Sequence, residues 1–269
     1  MNGLPRSYLF VPGSRPDRFA KAAATGAEAL IIDLEDAVAE NQKDEARHNV
    51  VSFLTARPDF HQKIVVRINP IGRACGMLDL AALAQLSGGP DIILLPKAED
   101  PAELNVLTRV LDDAGSAARL AALVETAYGI TRAQDVARAS ARLDFLMFGA
   151  ADYAADLGQQ VGSFNPEYAR AAIVNAAAAG GIAAIDSPFF AIDAPDALLA
   201  ECNNARFSGF HGKAAIHPSQ IDVINLSFAP SEKDIQQARR ILDAAPDGVG
   251  MLDGKMIDIA MIKWAKRVA

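Results

Sequence analysis

The chain has 269 residues, 51% of them hydrophobic and 22% charged, which is enough to bury a large core and excludes intrinsic disorder. With 26 Lys and Arg against 33 Asp and Glu, the formal charge is −7. A general nucleic-acid binder, which needs a net basic face to displace counterions, is thereby excluded. The two cysteines, Cys75 and Cys202, stand far apart without a CxxC partner, arguing against a disulfide framework or a zinc–thiolate site and for a reducing cytoplasm.

Taken in chain order, the first apolar run, Tyr8–Val11, is stopped by Pro12-Gly13 and does not read as a signal peptide. Seven more runs follow: Ala29–Leu34, Ile64–Ile68, Ile92–Leu95, Leu120–Val124, Phe145–Phe148, Ile182–Ile185 and the more polar Phe210–Ile216. Most are continuous rather than alternating, the pattern of strands buried on both faces. Helix signals lie between them. Ser14 with Asp17 has capping-box spacing around Pro16, Asp100-Pro101 precedes Glu103, and Gly115 is a stop. Asn165-Pro166 opens a segment closed at Gly180, and Ser231 with Asp234 opens another. The most apolar window, Ala171–Ile185, is broken by Asn175 and Gly180-Gly181 and falls short of the ~20 residues of a membrane span.

Strand starts recur about every 20 to 40 residues, the length of one strand-plus-helix unit. Eight units without a change of composition predict an α/β chain folded as a (β/α)8 TIM barrel over residues 1–230. An open doubly wound sheet is the alternative, but no GxGxxG follows the first strand. Residues 231–269 read as a helical tail: a helix, a turn around Pro246–Gly250, and a last helix from about Met256.

Barrel chemistry gathers at the C-terminal strand ends. The residues there are Arg15; Asp33, Glu35 and Asp36; Arg67 and Asn69; Lys97; Glu125; Asp152; Asp186; and His217. Asp36 and Asp156 also suit helix caps, Lys97 suits a solvated loop as well as a functional role, and His217 suits a helix start. His48 and His61 sit in polar, surface-like contexts. Glu125 and Arg67 directly follow apolar runs, where burying a lone charge is costly, so both read as functional. Glu125 and Asp152, at adjacent strand ends, suit a hard divalent cation such as Mg2+, and Arg67 beside them suits a carboxylate or an enolate oxygen.

The ordered segments Arg-Ser-Tyr-Leu-Phe-Val-Pro-Gly-Ser (6–14), Asp-Leu-Glu-Asp-Ala-Val (33–38), Val-Arg-Ile-Asn (66–69), Leu-Pro-Lys (95–97) and Val-Glu-Thr (124–126) are followed by two longer ones. These are Phe-Gly-Ala-Ala-Asp-Tyr-Ala-Ala-Asp-Leu-Gly (148–158) and Gly-Lys-Ala-Ala-Ile-His-Pro-Ser-Gln (212–220). Together they resemble the HpcH/HpaI aldolase and citrate lyase β-subunit family, in its CitE-like and malyl-CoA lyase branch. The resemblance implies a trimeric or hexameric TIM barrel with Mg2+ on Glu125 and Asp152, and Arg67 binding substrate and stabilising the enolate. It places Glu35 and Asp36 near the metal waters, and Arg15 and Arg18, at the first helix, on coenzyme A phosphates. It also makes the tail a cover over a neighbouring subunit's site, carrying an aspartate base in Asp253–Asp258; Asp258 is the candidate and Asp253 the alternative.

The expected reaction is reversible cleavage of a 3-hydroxy-acyl thioester bearing a second carboxylate, such as malyl-, citramalyl- or citryl-CoA, into an acyl-CoA and a 2-oxo acid. Mg2+ is expected to chelate the carboxylate and hydroxyl. The alternatives are a class II pyruvate aldolase on 4-hydroxy-2-oxo acids, with His48 as base, and a citryl-carrier-protein subunit of a larger complex. Thioester hydrolysis after condensation also stays open. Small molecules, with neither nucleic acid nor membrane, are the expected partners.

Overall fold

The computed structural model describes residues 4–56 and 60–269. Eight parallel strands close into a barrel in chain order, the TIM barrel expected from the eight apolar runs. They are β1 (Ser7–Pro12), β2 (Ala29–Asp33), β3 (Lys63–Arg67), β4 (Ile92–Leu95), β5 (Arg119–Val124), β6 (Leu143–Phe148), β7 (Ala183–Asp186) and β8 (Gly212–Ala215). The helices of this unit are α1 (Phe19–Ala23), α2 (Lys43–Ala56), α3 (Ala74–Ala84), α4 (Pro101–Asp113), α5 (Ala127–Val136), α6 (Ala150–Asp156), α7 (Glu167–Gly180), α8 (Pro195–Ser208) and α9 (Ile221–Phe228). Among the described residues, no helix is long and apolar enough to cross a membrane.

The strands are apolar throughout because both faces are covered. Leu9, Leu30, Ile32 and Val66 join Val50 and Leu107 of the helices in an outer core. The alternate residues Tyr8, Ile31, Val65 and Met147 are buried on the opposite, inward face. The barrel closes where β1 meets β8, through Ser7 opposite Lys213. The Lys213 amide donates to the Arg6 carbonyl at 2.8 Å. A Cβ on Gly212 would collide with Arg6, so glycine is required for that approach.

Several caps form where the sequence places them. Asp100 accepts from the Ala102 amide at 2.9 Å, and Asn165 accepts from the Glu167 amide at 2.9 Å. The stop after α7 comes one residue later than expected, at the left-handed Gly181. The capping box expected from Ser14 and Asp17 does not form. Both Asp17 oxygens are taken by the Arg15 guanidinium at 2.9 Å, and Pro16–Arg18 makes a single 3-10 turn before the five-residue α1.

Chain contacts divide the molecule into a barrel unit, Pro5–Phe228, and a smaller unit, Ala229–Ala269 with Leu4. The smaller unit holds α10 (Glu232–Ala244), β9 (Gly250–Leu252), β10 (Lys255–Ile257) and α11 (Ile259–Val268). Its core contains Ala238, Ile241, Ile257, Ile262 and Ala265. Ser231 and Asp234 form the capping box of α10. The last helix does not begin at Met256, which lies in β10, opposite Met251 in an antiparallel hairpin. Asp253 (φ 52°) and Gly254 (φ 74°) are both left-handed, as a tight two-residue hairpin turn requires. The helix starts only after Asp258.

Candidate active site

The loop after β2 carries the first half of the site. Asp33 is fully buried and accepts from the amides of Glu35 (2.9 Å) and Ala37 (3.0 Å), which folds the chain back over the barrel mouth. Lys43 of α2 fixes the same loop by donating to the carbonyls of Leu34 (2.9 Å) and Glu35 (2.6 Å). Gly13 lets β1 approach, since a Cβ there would stand 2.9 Å from the Asp33 carbonyl.

Arg67, at the end of β3, is 8% exposed and held in a fork. Its Nε and Nη2 donate to the two Asp33 oxygens at 2.7 and 2.6 Å, and Nη1 lies 2.9 Å from Glu35 Oε2. Burial works against the guanidinium charge, but Asp33 and Glu35 raise its pKa above the ordinary value. Burial likewise raises the Asp33 carboxyl, and the Arg67 guanidinium more than offsets it, leaving Asp33 below the usual range. Asp33, which sequence reasoning leaves at the rim with no assigned role, aims Arg67.

Glu125, at the end of β5, is 1% exposed. The Lys97 amide donates to its Oε1 at 2.9 Å, from a backbone held at φ 49°. Gly149, after β6, passes so close that a Cβ would overlap the Glu125 side chain. Burial pushes the Glu125 carboxyl well above the ordinary value; Arg67 and Lys97 oppose this, while Glu35 and Asp152 add to it. Burial also raises Glu35.

Lys97, which the sequence leaves evenly between a solvated loop and a functional role, belongs to the site. Its ammonium bonds Glu35 and lies 3.6 Å from Asp36, 3.9 Å from Glu125 and 4.0 Å from Asp152. One cation therefore gathers four carboxylates. Leu-Pro-Lys at a strand end is the available signal, but the left-handed turn that directs the side chain into the mouth is invisible in composition.

Two of the expected rim groups belong elsewhere. Asn69 is buried, with its amide and side chain on Asp79 and its Nδ2 also on the Leu34 carbonyl. Asp186 is buried on Lys213 Nζ (2.7 Å) and Arg170 (3.3 Å), and Lys213 also bonds Glu201 of α8. Both groups pin strand ends to surrounding helices.

The donor set fits a hard divalent cation. It consists of carboxylate oxygens, already collected around a positive centre, and the buried Glu125 needs more positive charge than its neighbours supply. Among the described residues no three His, Cys, Asp or Glu side chains are preassembled to ligate a metal. Glu125 and Asp152 would supply two ligands and leave the remaining positions to substrate and water.

The mouth holds a cavity of about 330 Å³, in which Arg67, Asp36, Glu125 and Asp152 face an apolar wall that includes Phe10, Met147, Phe190 and Ile216. Beside it lies a second cavity of about 700 Å³, lined by Arg15, Arg18, Lys21 and His217 and sharing Phe10, Ala37 and Ile216 with the first. The α1 segment is too short for a helix dipole to matter, so anion attraction here rests on Arg18 and Lys21, with Arg15 already paired to Asp17, which lines the cavity too. His217 caps the turn Pro218–Gln220, accepting from the Ser219 amide at 3.2 Å, the helix-start role its sequence suggests. Asp258 is in the smaller unit, exposed, and caps α11 by accepting from Ala260 (2.9 Å) and Met261 (3.1 Å). Asp253 pairs with Arg240 at 2.7 Å.

Comparison with known proteins agrees with the geometry. The citrate lyase subunit beta of Haemophilus influenzae is 36% identical over 98% of this chain and 96% of its own length. The L-malyl-CoA/beta-methylmalyl-CoA lyase of Cereibacter sphaeroides is 32% identical over 97% and 92%. The crystal structure of CitE from Mycobacterium tuberculosis in complex with magnesium, acetoacetate and coenzyme A superposes with a TM-score of 0.81 at 35% identity, covering 100% of this chain and 98% of that one. Residues 6–218 match the HpcH/HpaI aldolase/citrate lyase family, and the chain is a member of that lyase family.

Proposed function

We propose that this chain cleaves, and in reverse forms, a 3-hydroxy-acyl-CoA that carries a second carboxylate, giving an acyl-CoA and a 2-oxo acid. The observation that carries this reading is the adjacency of two cavities: an acidic mouth with a forked arginine, and a basic cavity sharing its wall. The basic cavity suits the phosphates of coenzyme A through Arg18 and Lys21, beside the Arg15–Asp17 pair. The acidic mouth suits Mg2+ on Glu125 and Asp152, and the CitE relative was solved in complex with magnesium and coenzyme A. When bound, the ion supplies Lewis-acid polarisation of the oxygens that share the substrate's carboxylate end.

Arg67 donates two N–H groups to Asp33 and makes an ion pair with Glu35, which leaves donors for the thioester oxygen as the enolate forms. Glu35 and Asp36, gathered by Lys97, orient water around the carboxylates. In cleavage, Asp258 on the tail of a neighbouring copy takes the hydroxyl proton, the bond between carbons 2 and 3 breaks, its electron pair enters the thioester enolate, and carbon 2 then takes the proton from Asp258 to give the acyl-CoA. In condensation the same carboxylate removes a proton from the acyl methyl group. The assembly is then a homotrimer or homohexamer. The free thiols Cys75 and Cys202 fit a cytoplasmic setting.

Asn caps a helix as well as Asp does, so Asp258→Asn separates the base from the cap. The expected result is a loss of turnover of about a thousandfold with an unchanged melting temperature. Unimpaired turnover would remove Asp258 from the mechanism. Calorimetric titration tests the whole reading: acetyl-CoA binds, and 2-oxo acids bind only with Mg2+. Oxo-acid binding without thioester affinity would favour the aldolase or a carrier-protein subunit. A second reading is hydrolysis, favoured by the 34% identity to the (3S)-malyl-CoA thioesterase of Cereibacter sphaeroides; release of free coenzyme A from a malyl thioester would support it.

A further inference from the structure

We infer that Lys97 is the counter-ion of the acidic mouth and competes there with Mg2+, so that this lysine holds down the affinity for the free ion. The inference rests on the assignment of Mg2+ to Glu125 and Asp152 and concerns the charge that the chain itself sets against that ion. The Lys97 ammonium bonds Glu35 and stands 3.6 Å from Asp36, 3.9 Å from Glu125 and 4.0 Å from Asp152. It is thus within ion-pairing reach of both carboxylates that would hold the ion. A divalent cation on that pair and an ammonium beside it draw on the same negative charge and repel one another.

The other cation of the mouth is committed elsewhere. Arg67 donates to both oxygens of Asp33 and pairs with Glu35 at 2.9 Å. Among the described residues, Glu125 and Asp152 each have one ion-pair partner, and in both cases it is Lys97.

The backbone points the same way. Lys97 sits at φ 49°, a left-handed conformation that a long side chain adopts only at a cost. A solvated loop lysine gains nothing from such a turn, whereas here it accompanies a side chain directed among four carboxylates. The Lys97 amide, not its side chain, donates to Glu125 Oε1 at 2.9 Å. A change of side chain therefore removes the charge and keeps the tether on Glu125. The side chain is 35% exposed, so its loss opens no sealed cavity.

Competition and mere positioning differ in sign. If Lys97 only ordered the carboxylates, its loss would scatter them and weaken the binding of the ion. As a competitor, its loss leaves the same oxygens with a stronger pull on a cation. The test is calorimetric titration of the full-length protein with Mg2+ alone at one ionic strength, with thermal melts in the presence and absence of the ion. Lys97→Met should bind Mg2+ at least about fivefold more tightly than wild type. Mg2+ should also raise the melting temperature of this variant more than that of wild type. Lys97→Arg keeps the charge and should stay within about twofold of wild type. Lys97→Gln takes the place of Lys97→Met if the latter does not fold.

A smaller gain, or any loss, of Mg2+ affinity in the uncharged variant overturns the inference. Equal tightening by Lys97→Arg overturns it as well, since the charge would then not be the cause. Asp152→Asn tests the underlying assignment separately and should weaken Mg2+ binding. An affinity that Asp152→Asn leaves unmoved, or Mg2+ binding absent from every variant, overturns the ligand reading instead.

Discussion

At Gly149 a methyl group would fall on the Glu125 side chain. Gly149→Ala should therefore displace the buried carboxylate and lower Mg2+ affinity about 10- to 100-fold, while the circular-dichroism spectrum stays that of the parent. Glu28 gives a separate, pH-dependent test at the opposite end of the barrel. Burial raises its carboxyl, but the Arg6 guanidinium and amide outweigh that and hold its pKa below the ordinary value. The folded state thus binds a proton less readily than the unfolded chain. Its stabilisation is complete above the unfolded value of ~4.3 and is lost as pH falls through the folded one. Glu28→Gln should cost about 1 kcal/mol at pH 7, and the difference in melting temperature should shrink toward pH 3. At this scale Glu125 and Arg67 are legible in the sequence, because a charge directly after an apolar run has few uses. Asp33 is not and Lys97 only half so, because their value lies in contacts to residues 34 and 28 to 62 positions away.

At the scale of elements, Gln220 joins two loops that wall the cavities. Its Nε2 donates to the Phe189 carbonyl at 2.7 Å, and its Oε1 accepts from the amides of Ile216 (3.0 Å) and His217 (3.3 Å). Gln220→Ala should strand these part-buried groups, costing about 1 to 2 kcal/mol. It should also raise KM severalfold more than it lowers kcat, as Michaelis kinetics beside thermal denaturation would show. The eight strands are readable because burial on both faces leaves a continuous apolar run. The tail hairpin reads in the sequence as the start of a helix, although Leu252-Asp253-Gly254-Lys255 carries a turn signal. Its strands are three residues each, too short for a period to emerge beside the amphipathic α11. The Ser14–Asp17 cap fails for a different reason: spacing does not disclose that Arg15, two residues away, takes the Asp17 carboxylate.

At the scale of the whole molecule, each unit has its own apolar core. Removing residues 229–269 should leave a barrel that melts cooperatively, while condensation falls at least about a thousandfold if the tail carries the base. Retained activity would place the base within the barrel. The seam between β1 and β8 has a further, kinetic consequence. Arg6 reaches the Asn225 carbonyl across 219 positions of chain, and the closing strand is the last of the eight to leave the ribosome. Until it arrives, the nascent sheet presents two unpaired edges, a state of high contact order that folds slowly and invites edge-to-edge association. Refolding yield should therefore fall steeply with protein concentration, even though the finished barrel has no free edge.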